Sequence, residues 1–135
     1  MLIDEGLELL DEAECRRLLA SSRLGRVAVN MAALPAIFPV NFVVEDDHIV
    51  FRTGTGTKLE AATRHAVVAF ECDQVDALEH EGWSVMAIGQ AELVTDASEV
   101  ERLAHLPLTP WAGGERTSIV RIPIELISGR RIIHP

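Results

Sequence analysis

Tyrosine is absent from this sequence, and two tryptophans and four phenylalanines are its only aromatic residues. Little ring stacking is therefore available beyond Trp83, Trp111 and those phenylalanines. Cysteine is scarce too: Cys15 and Cys72 have no metal-like spacing and read as reduced thiols of a cytoplasmic protein. The histidines His48, His65, His80, His105 and His134 offer no i, i+4 pair or cysteine partner suited to zinc, so no protein metal site is expected. No stretch approaches the ~20 uninterrupted apolar residues of a membrane helix. The opening MLIDEGLELLDEAE is acidic where a secretory leader would be basic, so neither export nor membrane association is expected. A G-x-S-x-G elbow is missing as well, which leaves hydrolase chemistry without a nucleophile. Basic residues are outnumbered 12 to 21, giving a net charge of −9. Such a field repels a phosphodiester backbone and excludes nucleic acid as an expected partner. Any anionic ligand must find a local basic pocket.

What is present reads as one domain over residues 1–135, with 48% apolar residues and no repeat or linker to divide it. Asp11 to Ser21 has helical apolar spacing at Cys15, Leu18 and Leu19, with acids early and Arg16 and Arg17 late, as a helix dipole favours. Gly25–Val29 alternates as a strand, and a turn near Leu34-Pro35 leads to a second strand over Ile37–Val44. The acidic Glu45-Asp46-Asp47 turns the chain into a third strand over His48–Thr53. A helix follows from Thr57 to His65, where a cation suits the helix end, then strands over Ala66–Cys72 and Trp83–Val94. Glu79-His80-Glu81 reads as the solvated turn between them. A short helix over Ala97–Leu106, with Ser98 as a possible cap, precedes a final strand over Ser118–Ile127. The expected class is mainly β, a six-stranded antiparallel Greek-key barrel with short flanking helices rather than an alternating parallel sheet.

The most informative segment is Phe51-Arg52-Thr53-Gly54-Thr55-Gly56-Thr57-Lys58-Leu59. It is not a P-loop, because one residue separates its glycines and Leu59 follows Lys58. It is not a dinucleotide fingerprint either, because leucine stands where the third glycine belongs. A strand nevertheless delivers Arg52 and Thr53, glycines let the backbone approach an anion, and Thr57-Lys58 opens a helix. The two cations and two hydroxyls suit a phosphate. Thr57-Lys58-Leu59-Glu60 equally fits a capping box, in which Glu60 reaches back to the Thr57 amide.

The order of segments resembles the pyridoxamine phosphate oxidase-like FMN-binding split-barrel superfamily. Phe51–Lys58 resembles its strand-loop-helix, and Trp83-Ser84-Val85-Met86-Ala87-Ile88-Gly89-Gln90-Ala91 its long strand ending in Gly-x-Ala. Pro39-Val40-Asn41-Phe42 sits where that family's strand runs beside the flavin ring. Pro110-Trp111-Ala112-Gly113-Gly114 and Ile119-Val120-Arg121-Ile122 resemble its small actinobacterial-type members, and the likeness spans roughly residues 11 to 131. The resemblance implies a split barrel that binds FMN and acts as an oxidoreductase on a small organic substrate. It implies that Arg52, Thr53, Thr57 and Lys58 hold the ribityl phosphate. Pro39, Val40 and Asn41 would face the isoalloxazine ring, and Ser84, with Trp83 beside it, would reach the flavin.

In that family the flavin lies at a homodimer interface, so Trp111 or Arg116 of a second copy would complete the pocket. The C-terminal Ser128-Gly129-Arg130-Arg131-Ile132-Ile133-His134-Pro135 does not match the Arg-x-His substrate motif of the vitamin-pathway oxidases. That activity is therefore not expected. Two alternatives share the fold. One is a deazaflavin-dependent reductase, whose anionic tail Arg23, Arg26, Arg64, Arg116 and Arg121 could meet. The other is a non-catalytic flavin-binding module.

Overall fold

The computed structural model describes residues 3–4, 6–109 and 116–133. In chain order the elements are β1 (Ile3–Asp4), β2 (Leu7–Leu9), α1 (Glu12–Ser21), β3 (Leu24–Met31), β4 (Leu34–Glu45), β5 (His48–Gly54), α2 (Lys58–Ala62), β6 (Val67–Asp76), β7 (Glu81–Gln90), β8 (Glu92–Leu93), α3 (Ala97–Ala104), β9 (Thr117–Pro123) and β10 (Leu126–Ile132). Neighbouring strands follow the order β1-β2-β10-β7-β6-β3-β4-β5-β9-β8, and every pairing is antiparallel. The mainly β, antiparallel split-barrel class is as expected, with ten strands among the described residues where six were anticipated.

Two of the additional strands come from breaks in runs that read as continuous. Trp83–Val94 divides at buried Ala91, whose amide donates to Ala66 O at 2.7 Å while the chain crosses from β7 to β8. Ser118–Ile127 divides at Ile124-Glu125, whose amides donate to Asp47 O and Ile88 O at 3.2 and 3.1 Å. The other two, β1 and β2, span only two and three residues, too few to show a period.

The sheet curls until β7 meets β9. A Cβ on Gly89 would lie 1.8 Å from Pro123 O, so only glycine permits that approach. Inside, Phe42 and Phe70 meet edge to face with centroids 4.7 Å apart. They share the main core with Phe51, Val27, Ile49, Val120 and Ile122. A smaller cluster of Val50, Leu103, Leu108 and Ile119 packs beneath α3. Both cysteines are buried and free, and burial pushes the Cys72 thiol up to about 11. No helix among the described residues is long and apolar enough to cross a membrane.

Local chemistry refines the helices. Asp11 caps α1 by accepting from Glu14 N at 2.8 Å. Arg16 and Arg17 do not sit in the last turn; they pair back to Glu12 and Glu14 at helical spacing. Helix α2 stops at Ala62 rather than His65, which adopts a left-handed φ of 49° in the turn that follows. Helix α3 ends at Ala104, and its cap is Asp96 rather than Ser98. The first turn after β3 is Ala32-Ala33, so Leu34 and Pro35 already belong to β4.

On the outer face of the sheet, Arg26 of β3 lies beside Glu71 and Asp73 of β6, at 3.4 and 3.3 Å. Burial, reinforced by the Asp73 carboxylate, raises the Glu71 pKa to about 7, against the pull of Arg26. The folded chain therefore holds this proton more tightly than the unfolded chain. The associated stability is complete below 4.5 and is lost as pH rises towards 7.

Glu71→Gln should flatten the fall in melting temperature between about pH 5 and 8. A slope unchanged from the parent protein would show that Glu71 does not titrate there. Gly89→Ala should lower stability by at least about 2 kcal/mol in thermal or urea unfolding, because backbone rather than a flexible side chain opposes the new methyl.

Candidate functional site

The site is built on the edge of β4. Residues Leu34–Asn41 pair with β3, whereas Phe42–Glu45 pair with β5, so the first part of the strand has one free edge. Phe42 N donates to Arg23 O at 2.9 Å, which places Pro35 and Pro39 at alternate positions whose nitrogens face away from β3. Proline is tolerated there because it has no N–H to leave unpaired. Between this edge, the end of β5 and the start of α2 lies a cleft of about 360 Å³. Pro39 and Val40 line it from β4, Arg52 and Thr53 from β5, and Thr57 and Lys58 from the α2 start, with Phe38 and Leu59.

Two of the cations without a carboxylate partner meet in this cleft. Arg16, Arg17, Arg26, Arg64, Arg102, Arg121 and Arg131 all carry carboxylate partners. Arg52 and Lys58, the only lysine in the sequence, have none among the described residues. Arg52 Nη2 donates to Ala104 O at 2.7 Å, the last residue of α3. Its Nε is buried with no hydrogen-bond partner. A buried guanidinium N–H without an acceptor is uncommon, and a bound phosphate oxygen would satisfy it.

The loop itself is largely committed. Thr57 Oγ1 donates to Gly54 O at 2.8 Å and accepts from Glu60 N at 3.1 Å. Thr53 Oγ1 lies 3.2 Å from it and is the freer hydroxyl. Glu60 reaches back to the Gly56 amide at 3.0 Å, one residue beyond the Thr57 amide of an ordinary capping box. The Thr57 amide instead donates to Gly54 O at 3.3 Å. Gly56 stands in the left-handed region at φ 83°, which this turn requires. Ser118 of β9 donates to the buried Glu60 carboxylate, and Arg64 donates at 3.2 Å. The Ser118 bond, followed by the Gly56 amide, holds Glu60 below the usual carboxylate range. With five residues, α2 offers little dipole, so side chains supply the positive charge of the cleft.

Other expected residues stand apart. Asn41 continues β4 past the cleft, and its Nδ2 donates to Thr109 O at 3.0 Å. Trp83 and Ser84 lie on β7, with β6 and β3 between them and β4. Within one protomer they do not line the cleft. Trp111 lies outside the described residues. Arg116 is exposed, and its carbonyl accepts from Thr55 N at 3.1 Å. Sequence reasoning did not find Ser118, since only the pairing of Thr53 with Ser118 brings it to Glu60. Phe38 and Leu59 were passed over as plain apolar residues of their elements.

The fold and cleft define a split-barrel protein with a cleft that holds two cations, Arg52 and Lys58, beside the free edge of a shared strand. The pyridoxamine 5'-phosphate oxidase family model matches residues 11–131, and the chain belongs to that family. An uncharacterised protein of Mycobacterium tuberculosis is 41% identical over 92% of this chain and 84% of its own length. A structure named an FAD-binding protein from Mycobacterium smegmatis is 38% identical, covers 92% of this chain and 98% of its own, and superposes with a TM-score of 0.78. A protein of unknown function from Corynebacterium diphtheriae is 33% identical, with coverage of 96% and 100% and a TM-score of 0.80.

Because its folded pKa is depressed, Glu60 contributes stability that is present above 4.5 and lost as pH falls through the folded value. Glu60→Gln should lower neutral-pH stability by about 1.5–3 kcal/mol, the worth of hydrogen bonds to a charged group. It should also make the acid limb of the melting curve shallower than the parent's. An equally steep limb would assign acid unfolding to other carboxylates.

Proposed function

We propose that the chain binds a flavin by its ribityl phosphate in the β4–β5–α2 cleft, as a homodimer, and acts as an oxidoreductase on a small organic substrate. The carrying observation is the pair Arg52 and Lys58, left without carboxylates in one cleft of a chain of net charge −9. The orphaned Arg52 Nε fits a phosphate oxygen, and the relative from Mycobacterium smegmatis is named an FAD-binding protein. FMN is the smallest flavin that carries the required phosphate. When bound, the flavin would supply hydride or electron transfer.

The chain's own residues hold and orient it. Arg52 and Lys58 grip the phosphate, and Thr53 donates from its hydroxyl. Thr57 shapes the loop and reaches the phosphate only by giving up its bond to Gly54 O. Pro39, Val40 and Asn41 present the strand edge to the ring, where Pro39 offers no N–H that water must satisfy.

Homodimerisation is supported by the outer face. Register places Ile37, Ala28, Ala69, Ile88 and Leu126 in one row across β4, β3, β6, β7 and β10. Ile37 is 68% exposed and Leu126 65%, an apolar stripe suited to a second copy. In such a dimer Trp83, Ser84 and Trp111 would reach the cleft of the partner. The deazaflavin reading is weaker, since of its five arginines Arg26, Arg64 and Arg121 are occupied by carboxylates, which leaves Arg23 and Arg116 to meet a long anionic tail.

Purified protein should show a flavin absorption spectrum or bind added FMN, with the deazaflavin binding less well. Arg52→Ala and Lys58→Ala should each weaken FMN binding about 10- to 100-fold with the fold retained. Unchanged affinity in both would remove the phosphate from this cleft. Sedimentation should report a dimer, and a monomer with flavin still bound would contradict the shared site.

A further inference from the structure

The outer face of the sheet carries a charged cluster inside an apolar border. Register sets Pro39 of β4, Arg26 of β3, Glu71 of β6, Met86 of β7 and Ser128 of β10 in one row. It runs beside the apolar row that begins at Ile37 and ends at Leu126. A hollow of about 340 Å³ opens over the two rows, where Ile37, Ala69 and Met86 surround Arg26, Glu71 and Asp73. Met86 is 42% exposed there.

Both carboxylates share one guanidinium: Arg26 Nη1 lies 3.4 Å from Glu71 and 3.3 Å from Asp73. Among the described residues no other cation pairs with either, so one negative charge is left over. Strand β4 brings only Ile37 and Pro39 to this patch and β7 only Ser84 and Met86, none of which titrates. The next charged group across the rows is Arg130 of β10, which follows Asp73 and Ser84 in register. It stands two strands away, or about 10 Å between backbones. In a single chain Arg26 and Asp73 are exposed, and water shares the excess charge. Even so, Glu71 keeps its proton up to about 7, through burial first and the Asp73 carboxylate second.

We propose that two copies of the chain dock through this outer face and that each takes up a proton from water at Glu71 as it docks, so that the dimer tightens as pH falls. The inference rests on the homodimer of the proposed function. A second copy is the occupant because Pro39 joins this face to the cleft and Ser84 stands on the same face, so docking here serves a shared site. A two-fold axis sets like face against like face. The excess charges of both copies are then buried in one interface, where water no longer screens them. A proton on each Glu71 leaves each Arg26 with a single carboxylate, and the charges balance. Below about 7 the free chain already carries that proton, so association there is insensitive to pH. Above it each docking event must recruit protons, and the stability of the dimer is lost as pH rises.

Sedimentation of the full chain across a dilution series tests this at about pH 6.5 and about pH 8.5. The dimer dissociation constant should be at least about tenfold larger at the higher pH, since two protons enter per dimer. Glu71→Gln, which keeps the shape of the protonated acid, should hold the constant within about twofold between the two pH values. Asp73→Asn, which leaves one carboxylate to one guanidinium, should flatten the dependence too. Where dilution does not part the copies, subunit exchange between labelled and unlabelled protein should run faster at the higher pH in the parent, and at one rate in Glu71→Gln. A dissociation constant or exchange rate unchanged by pH in the parent, or a parent-like slope in Glu71→Gln, overturns the proton linkage while the dimer stands. A chain that stays monomeric at both pH values overturns the dimer itself, and the linkage with it.

Discussion

Strand β4 belongs to two parts of the sheet in succession, and the rest of the molecule is arranged around that change of partner. Register with β3 ends at Asn41 and register with β5 begins at Phe42. Phe42 and Phe51 meet at the switch and anchor both parts in the core. The switch leaves Leu34–Asn41 with an unpaired edge, which is ordinarily an invitation to aggregation. Pro35 and Pro39 blunt it by removing two N–H donors, and α2 shelters it from the side. The same geometry that closes the barrel therefore leaves a stretch of β4 backbone open beside the cleft.

Electrostatics divides the labour differently. Most arginines of this acidic chain are used structurally, pinning α1 to β10 through Arg131–Glu14 and α3 to β4 and β9 through Arg102 and Arg121. A carboxylate, Glu60, lies beneath the glycine loop, but it is turned inward to Gly56, Ser118 and Arg64. It stiffens the loop while its charge is met from the far side. Arg52 and Lys58 consequently dominate the cleft despite the overall sign.

Much of this was legible beforehand because it depends on residues near each other in sequence. The Arg52–Lys58 segment carries its strand, turn and cap within seven residues, and those side chains do converge. The acidic hairpin at Asp46-Asp47 is likewise local. What escaped depends on distant pairing. Gly89 and Pro123 stand two residues and one residue before the breaks at Ala91 and Ile124, but apolar residues continue past both, and the crossing follows only from the seam those two residues form. Ser118 meets Glu60 only because β9 pairs with β5. Trp83 and Ser84 stand away from the cleft because β6 and β3 intervene, and within a single chain no reading of their spacing could bring them closer. Arg16 and Arg17 misled for the opposite reason: helical spacing to Glu12 and Glu14 outweighed any pull of the helix end.

The pairing of β2 with β10 has a consequence for how the chain is made. Leu7–Leu9 lies in register with Arg130–Ile132, Leu10 N donates to Gly129 O, and α1 rests on β10. A ribosome adds roughly 5–20 residues each second, so β2 and α1 wait several seconds for the strand that receives them. During that interval Cys15, Leu18 and Leu19 lack the β10 side of the core they enter in the finished fold. Helix α1 thus completes its packing only after β10 has been made. A gene that encoded β10 ahead of β2 and was opened at the exposed β6–β7 turn would change that order without altering the residues that line the cleft.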